Sequence, residues 1–404
     1  VVNEDLKQRE QRYVMQTYRR GPVEFVRGEG ALLFDADGRE YIDLLSGISV
    51  TSLGHGVPEI SSVLASQSAE LLHVSNLFYT APMVDLAERL STGSIGGPVF
   101  FCNSGTEANE CAIKVARKHA HGRGVSSSRI LVFEGDFHGR SYGSLSATPG
   151  LSRSETLGPM LPGFHALPFD DPRALEEAFS DDVAAIFMEP IQGEAGVFPV
   201  SAETLEAARR LCDESGALLI FDEVQTGVGR TGSLWGYQQT SVRPDVMTTA
   251  KALGGGVAIG ACVNSAETGQ VLEPGDHGST FAAGPLASTA ALAVLDMVDR
   301  AATLRRVRDL GSSLCDRLAA VEGVAEVRGR GLMIGVGLDD GIVAAEACSA
   351  LLDHGVVANA PRPDTLRFLP PFCLTDAQAD RAVSAIAEVL SARIPSRDPI
   401  TGGD

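Results

Sequence analysis

From about residue 98 onward, short apolar runs alternate with stretches whose apolar residues recur at helical spacing. The runs PVFF (98–101), RILVF (129–133), AAIFM (184–188), ALLIF (217–221), DVMTT (245–249) and IGACV (259–263) carry no charge beyond a first residue. Runs this short and this apolar read as strands buried on both faces. Amphipathic stretches such as EANECAIKVARKHA (107–120) and SAETLEAARRLCDESG (201–216) lie between several of them. The alternation predicts an α/β unit around a mostly parallel sheet. The first fifty residues differ: FVRGEGALLFDADGREYIDLL (25–45) reads as short strands about a DADG turn, a small antiparallel element. From about 290 the pattern becomes a long helix, LASTAALAVLDMVDRA (286–301), and then strands and helices again in VRGRGLMIGVGL, AEACSALLDHGV and TLRFLPPF. A large domain over 53–290 is expected, with 1–52 and 291–404 meeting in a smaller α+β domain. The tail SRDPITGGD reads as loose.

At 404 residues the chain can bury one large core and a second, smaller one. A net charge of -19 argues against a nucleic-acid or anionic-membrane partner, and no run of about 18 apolar residues offers a membrane span. The polar start VVNEDLKQRE is unlike a secretory signal. Seven scattered cysteines with no CxxC pair point to free thiols, no metal site and a reducing, cytoplasmic setting. Lysine is scarce: only Lys7, Lys114, Lys118 and Lys251 stand against 29 arginines.

Lys251 is the sole charge between Asp245 and Glu267, in VMTTAKALGGGVAIGACVNSA. Burying an ammonium there is costly and drives it toward the neutral amine, the form that attacks a carbonyl. A lysine snorkelling to the surface at a strand end would give the same pattern. Lys114 and Lys118 are spaced i,i+4 on a helix and read as a solvated face. In FFCNSGTEANE (100–110) a strand runs into a helix start through Ser104, Gly105 and Thr106, where free backbone N–H groups form an anion site. The same residues also read as a plain helix cap. Asp222 ends the run ALLIF, placing a carboxylate at the carboxyl edge of the sheet, where open α/β sheets bind ligands.

Six motifs together, NSGTEANE, FHGR, EPIQGEAGV, FDEVQTGVGRTG, PDVMTTAKALGGG and HGSTF, resemble the class III (subgroup II) aminotransferases over about residues 20 to 375. The resemblance implies the fold-type I architecture of enzymes that use pyridoxal 5′-phosphate, and a homodimer with shared active sites. Lys251 then matches the lysine that holds the cofactor as a Schiff base and shuttles the substrate proton. Ser104, Gly105 and Thr106 match the phosphate loop, and Thr280 matches a phosphate ligand from the other subunit. Phe137 looks like the residue stacked on the ring, with His138 beside it. Asp222 matches the partner of the pyridine nitrogen, and Gln225 the residue near the ring hydroxyl. Arg140 resembles the fork for a substrate carboxylate. Glu194 and Arg367 resemble a switching pair, in which the glutamate covers the arginine in one half-reaction and uncovers it in the other.

Within the family, ELLHVSNLFYTAPMVDLAERL (70–90), GISVTSLGH (47–55) and GRGLMIGVGLD (329–339) most resemble the branch acting on N-acetylornithine. There Ser279 matches a position that contacts the acylated substrate. The implied reaction, a step of arginine biosynthesis, moves the terminal amino group of N-acetylornithine to 2-oxoglutarate, giving N-acetylglutamate semialdehyde and glutamate. Ala282-Ala283-Gly284 replaces the usual GGN, and Val57 the usual histidine before Pro58. Both changes bear on the choice of amine donor, so ornithine and succinylated or lysine-based donors stay open. An aminomutase or racemase on the same fold would keep Lys251 and Asp222 without needing 2-oxoglutarate.

Overall fold

The computed structural model describes residues 2–125, 128–152 and 156–393; the expected loose tail 396–404 lies outside them. A seven-stranded sheet dominates, in the order Gly96–Cys102, Gly260–Ser265, Val246–Thr249, Leu218–Asp222, Val183–Met188, Arg129–Phe133, Phe164–Leu167. The pairings are parallel except on the two sides of Gly260–Ser265. All six apolar runs of the sequence fall in this sheet. The seventh strand, Phe164–Leu167, is a half-exposed edge whose FHAL sequence carries no apolar run. Every residue of Val183–Met188 is buried, and each large apolar side chain hidden this way contributes about 2 kcal/mol.

Helices cover the sheet. Gly105–Gly122 begins where Ser104 caps it, its Oγ accepting the Glu107 N–H at 3.3 Å, and buries Ala108, Cys111, Ala112, Val115 and Ala116 along one face. Ala202–Ser215 is capped by Ser201 and closes on Gly216 in the left-handed region. The long helix expected through 301 ends at Val298. Residues 299–300 leave helical geometry, and a second helix, Ala301–Ala319, follows with its own buried stripe of Val307, Leu310, Leu314 and Leu318. No helix among the described residues is long and apolar enough to cross a membrane.

The strands Phe25–Glu29, Leu32–Asp35 and Glu40–Asp43 pair antiparallel about the DADG turn, and Val356–Val357 adds to their edge in parallel. That pairing brings the two ends of the chain together. Another antiparallel sheet runs Val324–Arg330, Met333–Leu338, Thr365–Phe368, Asn359–Arg362. One apolar core joins all three sheets, from Ala31 and Ile42 through Ile186 and Phe221 to Val336 and Leu366.

Candidate active site

A cavity of about 420 Å³ opens at the carboxyl edge of the large sheet. Ser104, Gly105, Thr106, Phe137, His138, Arg140, Asp222, Gln225 and Lys251 all line it, although they come from segments up to 147 positions apart. The parallel strands explain the convergence, since each delivers its following loop to the same edge.

Lys251 follows the strand Val246–Thr249 and opens a short 3₁₀ turn at φ 42°, a left-handed conformation that a side-chain-bearing residue adopts at a cost. Its amine makes no hydrogen bond or ion pair among the described residues. Burial pushes the ammonium below its ordinary value; the charge on Glu194 opposes this and Arg367 adds to it. Gly255, at φ 58°, lets the chain turn away, because a Cβ there would lie 2.8 Å from Ile60 and Val294 carbons.

Across the cavity, Asp222 is buried at the last position of its strand. It accepts from Asn109 Nδ2 at 2.8 Å, the Val224 N–H at 2.9 Å and His138 Nδ1 at 2.9 Å. The His138 ring lies flat on Phe187, centroids 3.9 Å apart. Burial would depress its pKa, but Asp136 and Asp222 outweigh it and hold the imidazole at about 10. Glu189, at the end of the neighbouring strand, is pushed up to about 8 by burial and by the charges of Asp136 and Asp222.

At the helix start, a Cβ on Gly105 would sit 2.7 Å from Val224 Cγ1, so only glycine lets the loop lie this close to the Asp222 turn. Thr106 Oγ1 is 2.7 Å from Ser141 Oγ. Arg140 is exposed at the cavity, its guanidinium carbon 5.5 Å from the Phe137 ring centroid, and makes no ion pair among the described residues.

Glu194 and Arg367 are not on the cavity wall, but both contact Gln225, which is. Arg367, on the strand Thr365–Phe368, is fully buried; its Nη1 donates to Glu194 Oε1 at 2.6 Å and to the wall residue Gln225 at 3.1 Å. Burial would raise the Glu194 pKa, but Arg367 outweighs it and holds the carboxyl below its ordinary value. The Arg367 Nη2 is buried with no partner. Ser279 and Thr280 do not line the cavity of their own chain: Ser279 Oγ accepts from Asn103 Nδ2 at 3.0 Å, and Thr280 is exposed. Lys114 and Lys118 are tied to a neighbouring loop, Lys114 donating to the Asp276 carbonyl and Lys118 pairing with Glu273 and Asp276.

The residues fit pyridoxal phosphate. A flat ring and phosphate suit the cavity's size; a free amine, a helix N-terminus and a fixed carboxylate face it; and Asn109 Oδ1, buried and unpartnered, shows polar capacity held in reserve. Sequence reasoning passed over Asn109 and Glu189. Glu189 carries the signal that found Asp222, an acid ending a buried strand; Asn109 sits one helical turn after Gly105 and had no signal of its own.

Residues 13–390 match the family Aminotransferase class-III. An acetylornithine aminotransferase from Caldanaerobacter subterraneus subsp. tengcongensis is 43% identical over 389 residues, 95% of this chain and 98% of the relative. Among solved structures, N-acetylornithine aminotransferase from Stenotrophomonas maltophilia K279a superposes with a TM-score of 0.82 at 37% identity, covering 96% of this chain and 100% of that one. An ornithine aminotransferase from Toxoplasma gondii, described with partial occupancy of PLP at its active site, gives a TM-score of 0.92 at 34% identity, covering 96% and 94%. A family match spanning nearly the whole chain, with a cavity suited to the family's cofactor, means that this chain belongs to the class-III aminotransferases, enzymes dependent on pyridoxal phosphate.

Proposed function

We propose that the enzyme moves the terminal amino group of N-acetylornithine, or of a close acylated diamino acid, to 2-oxoglutarate, giving N-acetylglutamate semialdehyde and glutamate. The observation that carries this reading is the Arg140, Glu194 and Arg367 arrangement: one guanidinium uncommitted at the cavity and a second covered by a carboxylate. N-acetylornithine brings one carboxylate, which Arg140 takes while Glu194 keeps Arg367 neutralised. 2-Oxoglutarate brings two, and the second displaces Glu194 and engages the free Nη2 of Arg367 as well as Nη1.

When bound, pyridoxal phosphate supplies an aldehyde for the amine and a ring that draws electrons from the carbon carrying it. The protein groups do the rest. Lys251, shifted toward the neutral amine by burial, supplies the amine that would hold the cofactor and then takes and returns the proton at the substrate's terminal carbon. Asp222 would meet the ring nitrogen, Gln225 would lie near the ring hydroxyl and Phe137 would pack against the ring. Ser104, Gly105 and Thr106 would hold the phosphate at the helix start.

Residues 53–290 would form the cofactor domain, and the two chain ends the smaller domain that carries Arg367. Leu77, Phe78, Tyr79, Phe281 and Thr280 are exposed, and Asn76 Nδ2 donates to the Ser279 carbonyl at 2.9 Å, which ties the two loops together; this suits a second copy whose phosphate Thr280 completes and whose acyl substrate Ser279 meets. The seven free cysteines agree with a cytoplasmic place of action. The similarity to ornithine aminotransferases supports a second reading, with ornithine itself as donor.

Two measurements test the reading. A panel of amine donors with 2-oxoglutarate, ranked by kcat/KM, should place N-acetylornithine first; ornithine ranking above it transfers the case to the second reading. Lys251→Ala should lower turnover by about 10⁴ or more and release the cofactor on dialysis. Wild-type turnover in that variant removes Lys251 from the reaction.

A further inference from the structure

Asp222 does not face the cavity alone. Behind it lies a second acid, Asp136, buried and tightly held. One of its oxygens accepts the Phe133 N–H at 2.9 Å, the other accepts Gln192 Nε2 at 3.0 Å, and Gln192 is itself anchored to the Glu134 carbonyl. So fixed, Asp136 Oδ2 stands 3.6 Å from His138 Nε2. The opposite ring nitrogen, Nδ1, is 2.9 Å from Asp222 Oδ2. The ring is pinned as well, flat against Phe187 and with its backbone N–H donating to Thr148 Oγ1 at 3.0 Å. An imidazole with no exposed surface is held with a carboxylate at each end.

The chemistry of that arrangement favours one protonation state. Asp222 needs a donor at Nδ1. The other nitrogen, which has no hydrogen-bond partner, then either points a lone pair at the Asp136 carboxylate or carries a second proton toward it. The first is repulsive and the second attractive, and burial strengthens both. We propose that Asp136 is a positioning residue: acting through His138, it keeps that imidazole doubly protonated, and the resulting cation keeps Asp222 an ionised, fixed acceptor toward the cavity. The inference rests on reading Asp222 as the partner of the cofactor's ring nitrogen.

The other charged groups around the ring fit. Glu189 faces the cluster from the end of Val183–Met188, held by the N–H groups of Phe137 at 2.8 Å and Gly193 at 3.1 Å. Burial and the charges of Asp136 and Asp222 push it up to about 8, which weakens it as a counter-charge to the imidazolium. Lys251 shares the cavity with Asp222, and its own burial shifts it toward the neutral amine. Asp136 therefore supplies the second negative charge that the cation requires.

The test is the protonation of His138, followed by ¹⁵N-histidine NMR of the full-length enzyme with and without cofactor, beside the pH dependence of the visible band of the loaded enzyme. Asp136→Asn keeps the size of the side chain and removes its charge. The imidazole should then titrate about one to two units lower, the effect of losing an adjacent opposite charge, and the visible band should become pH-dependent over the same range. Above that pH kcat should fall about tenfold with KM unchanged. Gln192→Leu keeps the charge but loosens its tether, and should leave the titration where it is in the wild type. Should Asp136→Asn not fold, Asp136→Ser, whose hydroxyl still accepts from Phe133, carries the same prediction. An imidazole unmoved in Asp136→Asn, or moved equally by Gln192→Leu, overturns the inference alone. An Asp222→Asn variant whose visible band is unchanged overturns the reading of Asp222 and the inference with it.

Discussion

Among the described residues two arginines are completely buried, and they are held in opposite ways. Arg230 has no carboxylate within ion-pair distance among the described residues. It donates to Ser49 Oγ at 2.9 Å, Ser52 Oγ at 2.7 Å, the Leu332 carbonyl at 3.0 Å and the Pro370 carbonyl at 2.6 Å, and lies over the Phe372 ring. Burial pushes its pKa down to about 9. Arg367 is held by side chains: Asn359 at 2.9 Å, Gln225 at 3.1 Å and the carboxylate of Glu194 at 2.6 Å, with Nη2 left over. The acceptors of Arg230 lie on segments that cannot move singly, so that guanidinium fastens the 49–52 loop to the C-terminal sheet. The chief partner of Arg367 is a side chain still 34% exposed, able to swing away. A buried cation satisfied by fixed neutral groups is finished structure; one satisfied by a single mobile acid, with a donor unused, is waiting for a ligand.

The largest effect should come from the finished site. Arg230→Ala leaves two hydroxyls and two buried carbonyls without a donor and opens a cavity, which together cost about 4 kcal/mol of stability. Chemical denaturation measures this directly, while kcat per folded molecule should fall by about tenfold at most, since Arg230 does not line the cavity and reaches it only through Val50 of the loop it fastens. A loss below about 1 kcal/mol would mean that Arg230 does not fasten the loop.

Arg367→Ala should reverse that profile. Glu194 is already partly exposed and rehydrates, so stability should fall less than for Arg230, by about 2 kcal/mol for the buried volume and the Asn359 and Gln225 oxygens left without a donor. The half-reaction with 2-oxoglutarate loses a charge-assisted pair worth about 3 kcal/mol, on the order of a hundredfold in kcat/KM. The half-reaction with a donor carrying one carboxylate should change by less than about tenfold. Single-turnover measurements of the two halves separate these outcomes; equal losses in both would end the switching role.

The sequence made these two sites legible to different degrees. The strand framework is plain because it rests on local composition: uncharged runs such as AAIFM have nowhere to go but the middle of a sheet. Phe164–Leu167 escaped because an edge strand needs no such run, and the break after Val298 escaped because Asp299 and Arg300 suit a helix as well as its end. Lys251 and Asp222 stand out as charges closing apolar stretches. Arg367 announces itself only through family resemblance, and Arg230 had no assigned role at all, because its partners lie 102 to 181 positions away. The same holds for Asn109, which is 113 positions from Asp222; Asp136 is a near neighbour of His138, but only the folded ring orientation sets that imidazole between two carboxylates. Thr280 is legible only through family resemblance, since it is exposed and does not line the cavity of its own chain.

The smallest effect isolates the mobile acid. Glu194→Gln keeps the shape that covers Arg367 and removes the charge. Two consequences follow, with signs fixed by the surroundings. Without its counter-ion, Arg367 accepts a second carboxylate more readily, so glutamate should gain as amine donor relative to N-acetylornithine by about tenfold, some 1.4 kcal/mol. Lys251 also responds. Its ammonium is already depressed by burial, and Glu194 is the foremost charge opposing that depression. Removing it lowers the pKa further, so the neutral amine persists into more acid solution. The acid limb of the pH profile for the amine half-reaction should therefore move to lower pH, by about one unit or less. A limb that moves to higher pH would show that Glu194 does not face Lys251 in the working enzyme. An unchanged donor preference would show that the cover over Arg367 is shape and not charge.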